Sequence, residues 1–286
     1  MQPQFERPRL ATYAPPLEGE RILRVEKLRK THIIRNGGSK KHGDLVVLDD
    51  VSFEVGEGEF LTIIGPSGCG KSTLLDILAG LEPYDSGDVI VSGHRVNSNS
   101  PDIIIIFQED ALFPWLTVRG NVEFGLKEQG VSAAERRAKA DYYIQMVGLT
   151  RFAESYVHQL SGGMKKRVAI ARGLAMDPRI LLMDEPFGAL DAKTRGNLQR
   201  QIQEIHASTG KTIIFVTHDV REAVCLGDRV MLFSHGPGKI RRQFVVDLPR
   251  PRRAEDLALH DLIGQVLNEF SGEAEFAENG DGDSDQ

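Results

Sequence analysis

The hydrophobic residues of this chain are concentrated in short runs that predict buried β-strands. Four such runs cover residues 60–64, 103–107, 180–185 and 212–217, and the third of them ends in two carboxylates. A run without polar alternation indicates a strand that is covered on both faces. For residues 103–107 we therefore expect a central strand of a parallel sheet.

Other segments have apolar residues three or four positions apart, which predicts helices. One helix is expected over residues 132–149, where Ser132 and Glu135 are placed as a capping box. A second is expected over residues 255–270, and a third over residues 74–79. The apolar face of the first would contain Ala138, Tyr142, Met146 and Leu149, and that of the second Leu259, Ile263, Val266 and Phe270.

The composition, 41% hydrophobic and 27% charged, is that of a globular protein. The longest apolar run, Ile103 to Phe107, is far shorter than the roughly 18 residues that span a bilayer. We expect residues 1–20, which are rich in proline and lack an apolar signal segment, to form a disordered leader. The two cysteines, Cys69 and Cys225, provide no disulfide framework and fit a reducing cytosol.

The net charge of −6 comes from the last part of the chain. Residues 271–286 contain six acidic residues and no basic ones, which leaves 35 of each sign elsewhere. We expect this acidic segment to be a disordered tail. Basic residues do cluster around 21–41 and 250–253, but the neutral balance favours a solvated surface there over a nucleic-acid site.

The segment from Gly65 to Thr73 matches the pattern G-x-x-x-x-G-K-[ST] between a predicted strand and a predicted helix. Its glycines let successive backbone N–H groups turn inward onto phosphate oxygens, and the helix start adds partial positive charge. Lys71 would reach the β- and γ-phosphates, and the Ser72 hydroxyl would coordinate Mg²⁺. The loop alone indicates only nucleotide binding, because many unrelated activities share it. Its candidate contacts are Gly65, Pro66, Ser67, Gly68, Cys69, Gly70, Lys71, Ser72 and Thr73.

Polar side chains at the ends of the other apolar runs suit the same chemistry. Gln108 can ligate Mg²⁺ and the attacking water, although alone it is also compatible with a plain strand end. Asp184 would hold Mg²⁺ and Glu185 would polarise the water. His218 is a candidate contact for the γ-phosphate.

Two further segments carry features of binding sites. Gly162 and Gly163 open a predicted helix, which would form a second anion-binding helix start. A predicted loop contains Phe113, Pro114 and Trp115. Aromatic side chains in such a loop either pack into the core or form a docking surface.

The sequence resembles the ATP-binding cassette ATPases over roughly residues 22–253, through motifs that occur in the family's order. These motifs are the phosphate loop, Gln108, LSGGM at 160–164, LLMDE at 181–185, the segment 188–191 and His218. The resemblance implies an α/β fold: a P-loop NTPase RecA-like core with an antiparallel β subdomain and an inserted α-helical subdomain at about 109–161. The ATPase domain would span residues 21–254.

The same resemblance implies that two subunits, identical or closely related, enclose two ATP molecules head to tail. Each ATP would lie between the phosphate loop of one subunit and Ser161, Gly162 and Gly163 of the other. Closure would exclude solvent and bring Asp191 and His218 into place. The implied catalytic residues are Lys71, Gln108, Glu185 and His218, and the implied Mg²⁺ ligands are Ser72, Gln108 and Asp184.

A narrower resemblance, in FQEDALFPWLTVRGNVEFGL, PFGALD and FSHGPGKI, links the chain to importers of nitrate, sulfonates and taurine. It implies a membrane permease that docks on Phe113, Pro114 and Trp115, and indirectly a periplasmic solute-binding protein. The chain would lie peripherally on the cytoplasmic face of a bacterial inner membrane, with no nucleic-acid partner. Nitrate, sulfonates, taurine, bicarbonate and aromatic acids all remain open as cargo.

The sequence departs from the family pattern at two positions. His32 stands where an aromatic residue often stacks on adenine, and imidazole stacks more weakly. Lys166 stands where glutamine is common after the LSGGM segment, and we expect little effect on the contact with ATP.

Other functions within this family stay open. A DNA-repair or chromosome ATPase would separate the phosphate loop from the LSGGM segment by a long coiled coil, whereas Lys71 and Ser161 are only about 90 residues apart. A translation factor would carry two cassettes in one chain. Only the importer-like segments argue against a role in export.

Overall fold

The computed structural model describes residues 21–35, 42–96, 100–188 and 190–280. The predicted leader, residues 281–286 of the predicted tail, and Ala189 within the segment 188–191 therefore lie outside the described residues. Within the described ranges the strands are β1 (Arg21–Arg35), β2 (His42–Gly56), β3 (Phe60–Ile64), β4 (Ser86–Val91), β5 (His94–Arg95), β6 (Ile103–Ile106), β7 (Ile180–Asp184), β8 (Thr212–Thr217), β9 (Arg229–Phe233) and β10 (Ile240–Val245). The α-helices are α1 (Lys71–Leu78), α2 (Val118–Glu128), α3 (Ala133–Met146), α4 (Gly162–Ala175), α5 (Ala192–Thr209), α6 (Val220–Leu226) and α7 (Leu257–Gly280).

The strands form two sheets, as the α/β prediction with an antiparallel subdomain requires. One sheet has the order β2-β1-β4-β5 with antiparallel neighbours. The other has the order β10-β9-β3-β8-β7-β6 and is parallel except at β10, which runs antiparallel to β9. The apolar runs predicted as strands at 60–64 and 212–217 are confirmed to the residue as β3 and β8.

The larger sheet is apolar on both faces because helices and the antiparallel sheet cover it. Successive side chains of a strand point to opposite faces, so Leu61 and Ile63 pack in one core with α1. Phe60, on the opposite face of the same strand, packs in a second core with α4. Burial of each such side chain contributes roughly 1.5–3 kcal/mol, which explains why these strands carry almost no polar residues.

The parallel arrangement brings three strand ends to one edge of this sheet. Ile64 pairs with Thr217, and Asp184 pairs with Val216. The residues that follow β3, β7 and β8 are therefore neighbours in space. This edge, at the carboxyl ends of parallel strands, is where α/β sheets bind ligands.

The prediction that residues 103–107 form a central strand is wrong. They form β6, which ends at Ile106 and, among the strands of the described ranges, lies at the edge of the larger sheet beside β7. Ile103 belongs to the core beside α1, whereas Ile106 belongs to the core beside α4. An apolar run reports that both faces are covered, and an edge strand can meet that condition as well as a central one.

Two α-helices and two short 3-10 turns, Thr150–Phe152 and Val157–Gln159, lie within the predicted helical insertion at 109–161. Helix α3 begins after Ser132, whose hydroxyl accepts a hydrogen bond from the Glu135 backbone N–H at 3.4 Å. Its predicted apolar face is wrong at Ala138 and Tyr142, which are exposed, whereas Met146 and Leu149 pack in the core as predicted. The buried face instead contains Ala140 and Ile144 and packs with α2 and α4.

Helix α7 has the predicted apolar face but is longer than predicted. Leu259, Ile263 and Val266 are buried against α6, and Phe270 is partly buried in the same cluster. The helix continues to Gly280, so residues 271–280 are helical where we expected an irregular tail.

Most described basic residues of the two clusters are exposed, as a solvated surface requires, but one residue in each cluster is buried. Lys30 is only 7% exposed and contacts Glu82 at 2.9 Å. Arg252 is 4% exposed and donates to main-chain carbonyls, including that of Gly227 at 2.5 Å. These two side chains are therefore held by contacts within the fold.

Candidate functional site

The phosphate loop connects β3 directly to α1, in the order that its sequence pattern predicts. Gly68 and Gly70 have φ angles of 77° and 95°, in the region that side chains rarely adopt. A Cβ atom at Gly70 would also lie 2.8 Å from Leu48 Cδ2. Glycine is therefore required at residue 70, both for the backbone turn and for the close approach of the antiparallel sheet.

The Lys71 side chain lies inside this loop and is 6% exposed. Its ammonium donates to the carbonyl oxygens of Gly65 and Pro66, both at 2.8 Å, and approaches Cys69 Sγ at 3.7 Å. A positive charge is thus fixed at the concave side of a loop whose backbone can donate to anions. This combination suits phosphate oxygens.

Asp184 ends β7 beside Ser72 and offers oxygen atoms to a cation. Its Oδ1 is buried without a hydrogen-bond partner. Burial raises the pKa of the Asp184 carboxyl, the Ser72 hydroxyl and Lys71 act in the opposite direction, and the neighbouring Glu185 adds to the rise. A buried unpartnered carboxylate oxygen beside a hydroxyl fits the hard oxygen ligands of Mg²⁺, which usually takes one or two carboxylates together with substrate phosphates.

Glu185 and His218 meet at the same edge of the sheet. Glu185 Oε2 lies 2.9 Å from His218 Nδ1. The Glu185 backbone N–H donates to the Val216 carbonyl at 3.0 Å, and its φ angle of 39° is left-handed, which is uncommon for a residue with a side chain. Glu185 thus combines an uncommon backbone conformation with a carboxylate that contacts His218.

Gln108 comes close to the Glu185 carboxylate at Gly188. A Cβ atom at Gly188 would lie 3.8 Å from Gln108 Nε2 and 4.0 Å from Glu185 Oε2. The predicted residues Lys71, Ser72, Gln108, Asp184, Glu185 and His218 therefore form one group at the carboxyl edge of the larger sheet.

A second group of predicted residues surrounds Thr194. Ser161 caps α4 by accepting from the Met164 N–H at 3.3 Å, and Asp191 caps α5 by accepting from the Thr194 N–H at 3.0 Å. The Thr194 hydrogen bond lowers the pKa of the Asp191 carboxyl. A Cβ atom at Gly163 would lie 2.5 Å from Thr194 Cγ2. Ser161 and Gly162 themselves are exposed, so the start of α4 faces outward.

His32 belongs to neither group. Its Nε2 lies 2.8 Å from Glu82 Oε1, and the same Glu82 oxygen contacts Lys30. The imidazole is thus held by a carboxylate at one edge of the ring while 42% of the side chain is exposed.

The aromatic segment Phe113–Trp115 is only partly exposed. Trp115 is 68% exposed, whereas Phe113 is partly buried and lies 4.3 Å from the Phe124 ring, centroid to centroid. The side chain of Asn121 holds this loop in place through hydrogen bonds to its backbone. It is fully buried, accepts from the Phe113 N–H at 2.8 Å and donates to the Thr117 carbonyl at 3.0 Å.

Sequence reasoning missed the structural role of Lys166. This residue is 4% exposed, and its ammonium donates to the carbonyl oxygens of Phe107 and Gln108. The signal in the sequence was a lysine on a face of the predicted helix whose other residues are apolar or small. Its partners are 58 and 59 residues away in the chain, so local spacing did not reveal them.

Within the described ranges, no helix is long and apolar enough to cross a membrane. Nor do these ranges hold a group of three or more histidine, cysteine, aspartate or glutamate side chains placed for a metal ion.

The fold and this site define a P-loop nucleotide-binding protein, and comparison with known proteins narrows the class. The ABC transporter family model matches residues 48–188. The bicarbonate transport ATP-binding protein CmpC of Synechococcus elongatus is 46% identical over 252 residues, which are 87% of this chain and 37% of that protein. The nitrate import ATP-binding protein NrtC of the same species is 46% identical over 233 residues, 79% of this chain and 35% of that protein.

A solved structure has the same architecture. It is a dimeric ATP-binding cassette in a post-hydrolysis state, bound to ADP and phosphate, and it matches with a TM-score of 0.68 and 34% identity over 79% of this chain and 100% of that one. The chain belongs to the ABC transporter ATP-binding family and is an ATPase. The predicted family and fold class are confirmed.

Proposed function

We propose that this chain is the ATP-hydrolysing subunit of a membrane importer for a small anion. The observation that carries the proposal is the group of Lys71, Asp184, Glu185 and His218 at the carboxyl edge of the larger sheet. The buried Lys71 ammonium, an unpartnered carboxylate oxygen of Asp184, and the hydrogen-bonded side chains of Glu185 and His218 lie together there. This is the set that phosphoryl transfer to water requires.

In the proposed reaction, residues 65–73 hold the phosphates of ATP and Lys71 neutralises charge on the β- and γ-phosphates. Ser72, Asp184 and Gln108 would hold Mg²⁺, which when bound neutralises charge that develops on the transferred group. Glu185 accepts a proton from the attacking water, and the phosphate–oxygen bond to ADP breaks as the bond to water forms. His218 orients the Glu185 carboxylate and would contact the transferred γ-phosphate.

Glu185 needs positioning rather than strong basicity, because a carboxylate is a weak base in water. The 2.9 Å contact with His218 fixes its Oε2. A second subunit would supply Ser161, Gly162 and Gly163 to the same ATP, and Asp191 beside them. Support comes from the outward-facing start of α4, whose backbone N–H groups suit an anion, and from the dimer seen in the solved relative. The second subunit would be a copy of this chain or a close paralogue.

The proposed contact with the permease is the loop of Phe113, Pro114 and Trp115. An indole that is 68% exposed, with its ring centre 5.5 Å from that of a second, tilted aromatic ring, is a feature of binding surfaces. A permease bound there would place this chain on the cytoplasmic face of a bacterial inner membrane. A periplasmic binding protein would then deliver the solute from the other side.

The proposed cargo is a small anion such as nitrate, a sulfonate, taurine or bicarbonate. The names of the relatives CmpC and NrtC support bicarbonate and nitrate. An exporter ATPase, or an ABC ATPase without a transport role, is the alternative.

The test is to purify the chain with its native permease and reconstitute the complex in vesicles with its solute-binding protein. We expect ATP hydrolysis to rise when the binding protein carries one of these anions and to stay at the basal rate with the empty binding protein. Stimulation by a solute presented from the ATP side, without a binding protein, would support an exporter and contradict the proposal. Failure of the chain to co-purify with any membrane protein would contradict a role in transport.

A further inference from the structure

Lys166 is a buried cation that the proposed reaction does not use. It lies in the second turn of α4, five residues after Ser161. Its ammonium donates to the Gln108 carbonyl at 2.9 Å and to the Phe107 carbonyl at 3.2 Å. It also lies 3.0 Å from Asp110 Oδ1, an ion contact without hydrogen-bond geometry.

These contacts join two parts of the molecule that are distant in sequence. Phe107, Gln108 and Asp110 belong to the segment that leaves β6 at the edge of the larger sheet, whereas Lys166 belongs to α4. An ammonium removed from water needs several oxygen partners, and displacing it from them is costly. The segment and the helix are therefore expected to move as one body.

A second cation of α4 extends the same contact. Arg172 donates to the Ala111 carbonyl at 2.7 Å, and its guanidinium carbon lies 5.8 Å from the centre of the Phe113 ring. Ala111 has a φ angle of 44°, an uncommon left-handed conformation that the Arg172 contact helps to hold. Helix α4 thus holds the segment from Phe107 to Phe113 at two points.

In a dimer whose ATP sites are shared between subunits, Lys166 would lie between residues of two different sites. Gln108 lies beside Glu185 and so belongs to the ATP site of its own subunit. Ser161, at the start of the same helix, would contact the ATP bound by the other subunit. Lys166 is the side chain that connects the two.

We propose that Lys166 is a positioning residue that couples the two ATP sites, by making the start of α4 follow the position of Gln108. This inference rests on the proposed function, since it requires two subunits that share their sites. Binding of ATP at one site then sets the geometry of the other, and hydrolysis is cooperative.

The test compares Lys166→Met, Lys166→Gln and, as a control, Lys139→Gln in the full chain. Methionine keeps the approximate length of the side chain but has no donor, whereas glutamine keeps an amide group that can donate to the Gln108 carbonyl. Lys139 is exposed and forms an ion pair with Glu135 on the same helix, α3. The measurements are the ATP dissociation constant, the thermal midpoint, kcat and the Hill coefficient of hydrolysis.

For the wild type and Lys139→Gln we expect a Hill coefficient approaching about 2, the number of sites. For Lys166→Met we expect a value near about 1 and a kcat lower by about tenfold, with ATP affinity within about twofold of wild type. Lys166→Gln should recover most of the cooperativity. Unchanged cooperativity in Lys166→Met overturns the inference. So does a parallel loss of thermal midpoint and ATP affinity, which would show a merely structural role.

A parallel measurement separates this inference from the proposed function. If Glu185→Gln dimerises with ATP while Lys166→Met keeps its cooperativity, only the coupling role fails. If Glu185→Gln binds ATP and stays monomeric, the shared sites fail and the coupling role fails with them.

Discussion

The Glu185 carboxylate and the His218 imidazole are hydrogen-bond partners, with 2.9 Å between Oε2 and Nδ1. The side chain of Glu185 is 24% exposed and that of His218 is 60% exposed. Glu185 is therefore the sheltered member of the pair, beside the strand end, and His218 is the member that faces solvent. An imidazole whose Nδ1 donates to the carboxylate leaves Nε2 directed elsewhere, so His218 can hold Glu185 and contact a second group.

Replacement of Glu185 by glutamine should abolish turnover while ATP still binds. The amide has nearly the same shape but cannot accept the proton of water, and loss of a general base typically lowers kcat by about 10²–10⁴-fold. Steady-state hydrolysis and equilibrium binding of ATP to the same preparation check this. Turnover at the wild-type rate would contradict the assignment of the base.

Replacement of Trp115 by alanine should weaken the contact with the permease without affecting the fold. Its ring is largely exposed, so we expect stability within about 0.5 kcal/mol of wild type and unchanged affinity for ATP. Recovery of the permease on an affinity-tagged chain measures the contact. Tyr142→Ala is the matched control, because Tyr142 is an aromatic of α3 with 58% exposure. Equal recovery of the permease with both variants would show that Trp115 is not part of the docking surface.

Replacement of Asn121 by alanine should destabilise the protein. Its side chain is fully buried and satisfies the Phe113 N–H and the Thr117 carbonyl. Leaving such groups unpaired costs about 1–3 kcal/mol. Urea unfolding measures this, with the exposed Asn197→Ala in α5 as the control. A loss no larger than that of Asn197→Ala would mean that the loop finds other partners.

Protonation of the unfolded chain at His206 should make the protein less stable in mild acid. Burial lowers the pKa of His206 below its ordinary value of 6.5, and the nearby Arg250 adds to this. The unfolded chain therefore takes up a proton below about pH 6.5 that the folded chain does not bind, and stability falls as pH decreases through that range. Above it, both states are neutral and this loss is absent.

Urea unfolding at about pH 7.5 and about pH 5.5 tests the effect of His206. Glutamine at this position can still donate to the Gly58 carbonyl, to which His206 Nε2 lies at 2.9 Å. His206→Gln should lose less stability on acidification than wild type, whereas His94→Gln, at an exposed histidine, should behave as wild type. An equal loss in all three proteins would assign the pH dependence to other groups.

Features that depend on local sequence were predicted well. Strands β3 and β8 were located to the residue because their short apolar runs end at a glycine and at a histidine. The capping residue Ser132 was located because caps act over three or four residues. The group at the sheet edge followed from the rule that parallel strands end together.

Features that depend on distant contacts were not predictable in this way. The position of β6 depends on which strand pairs with it, and an apolar run does not carry that information. The buried face of α3 depends on where α2 and α4 lie. The contact of Lys166 with Gln108 joins residues 58 positions apart, and only the folded arrangement brings them together.

An ATP site shared between two subunits is tested most directly by the mass of Glu185→Gln in solution with Mg²⁺ and ATP, measured by light scattering. We expect a dimer with ATP, a monomer with ADP, and a monomer with ATP when Ser161→Arg is added, because the start of α4 would complete the site of the other subunit. A monomer that binds ATP without association, or a dimer that Ser161→Arg leaves intact, would contradict an ATP site shared between two subunits.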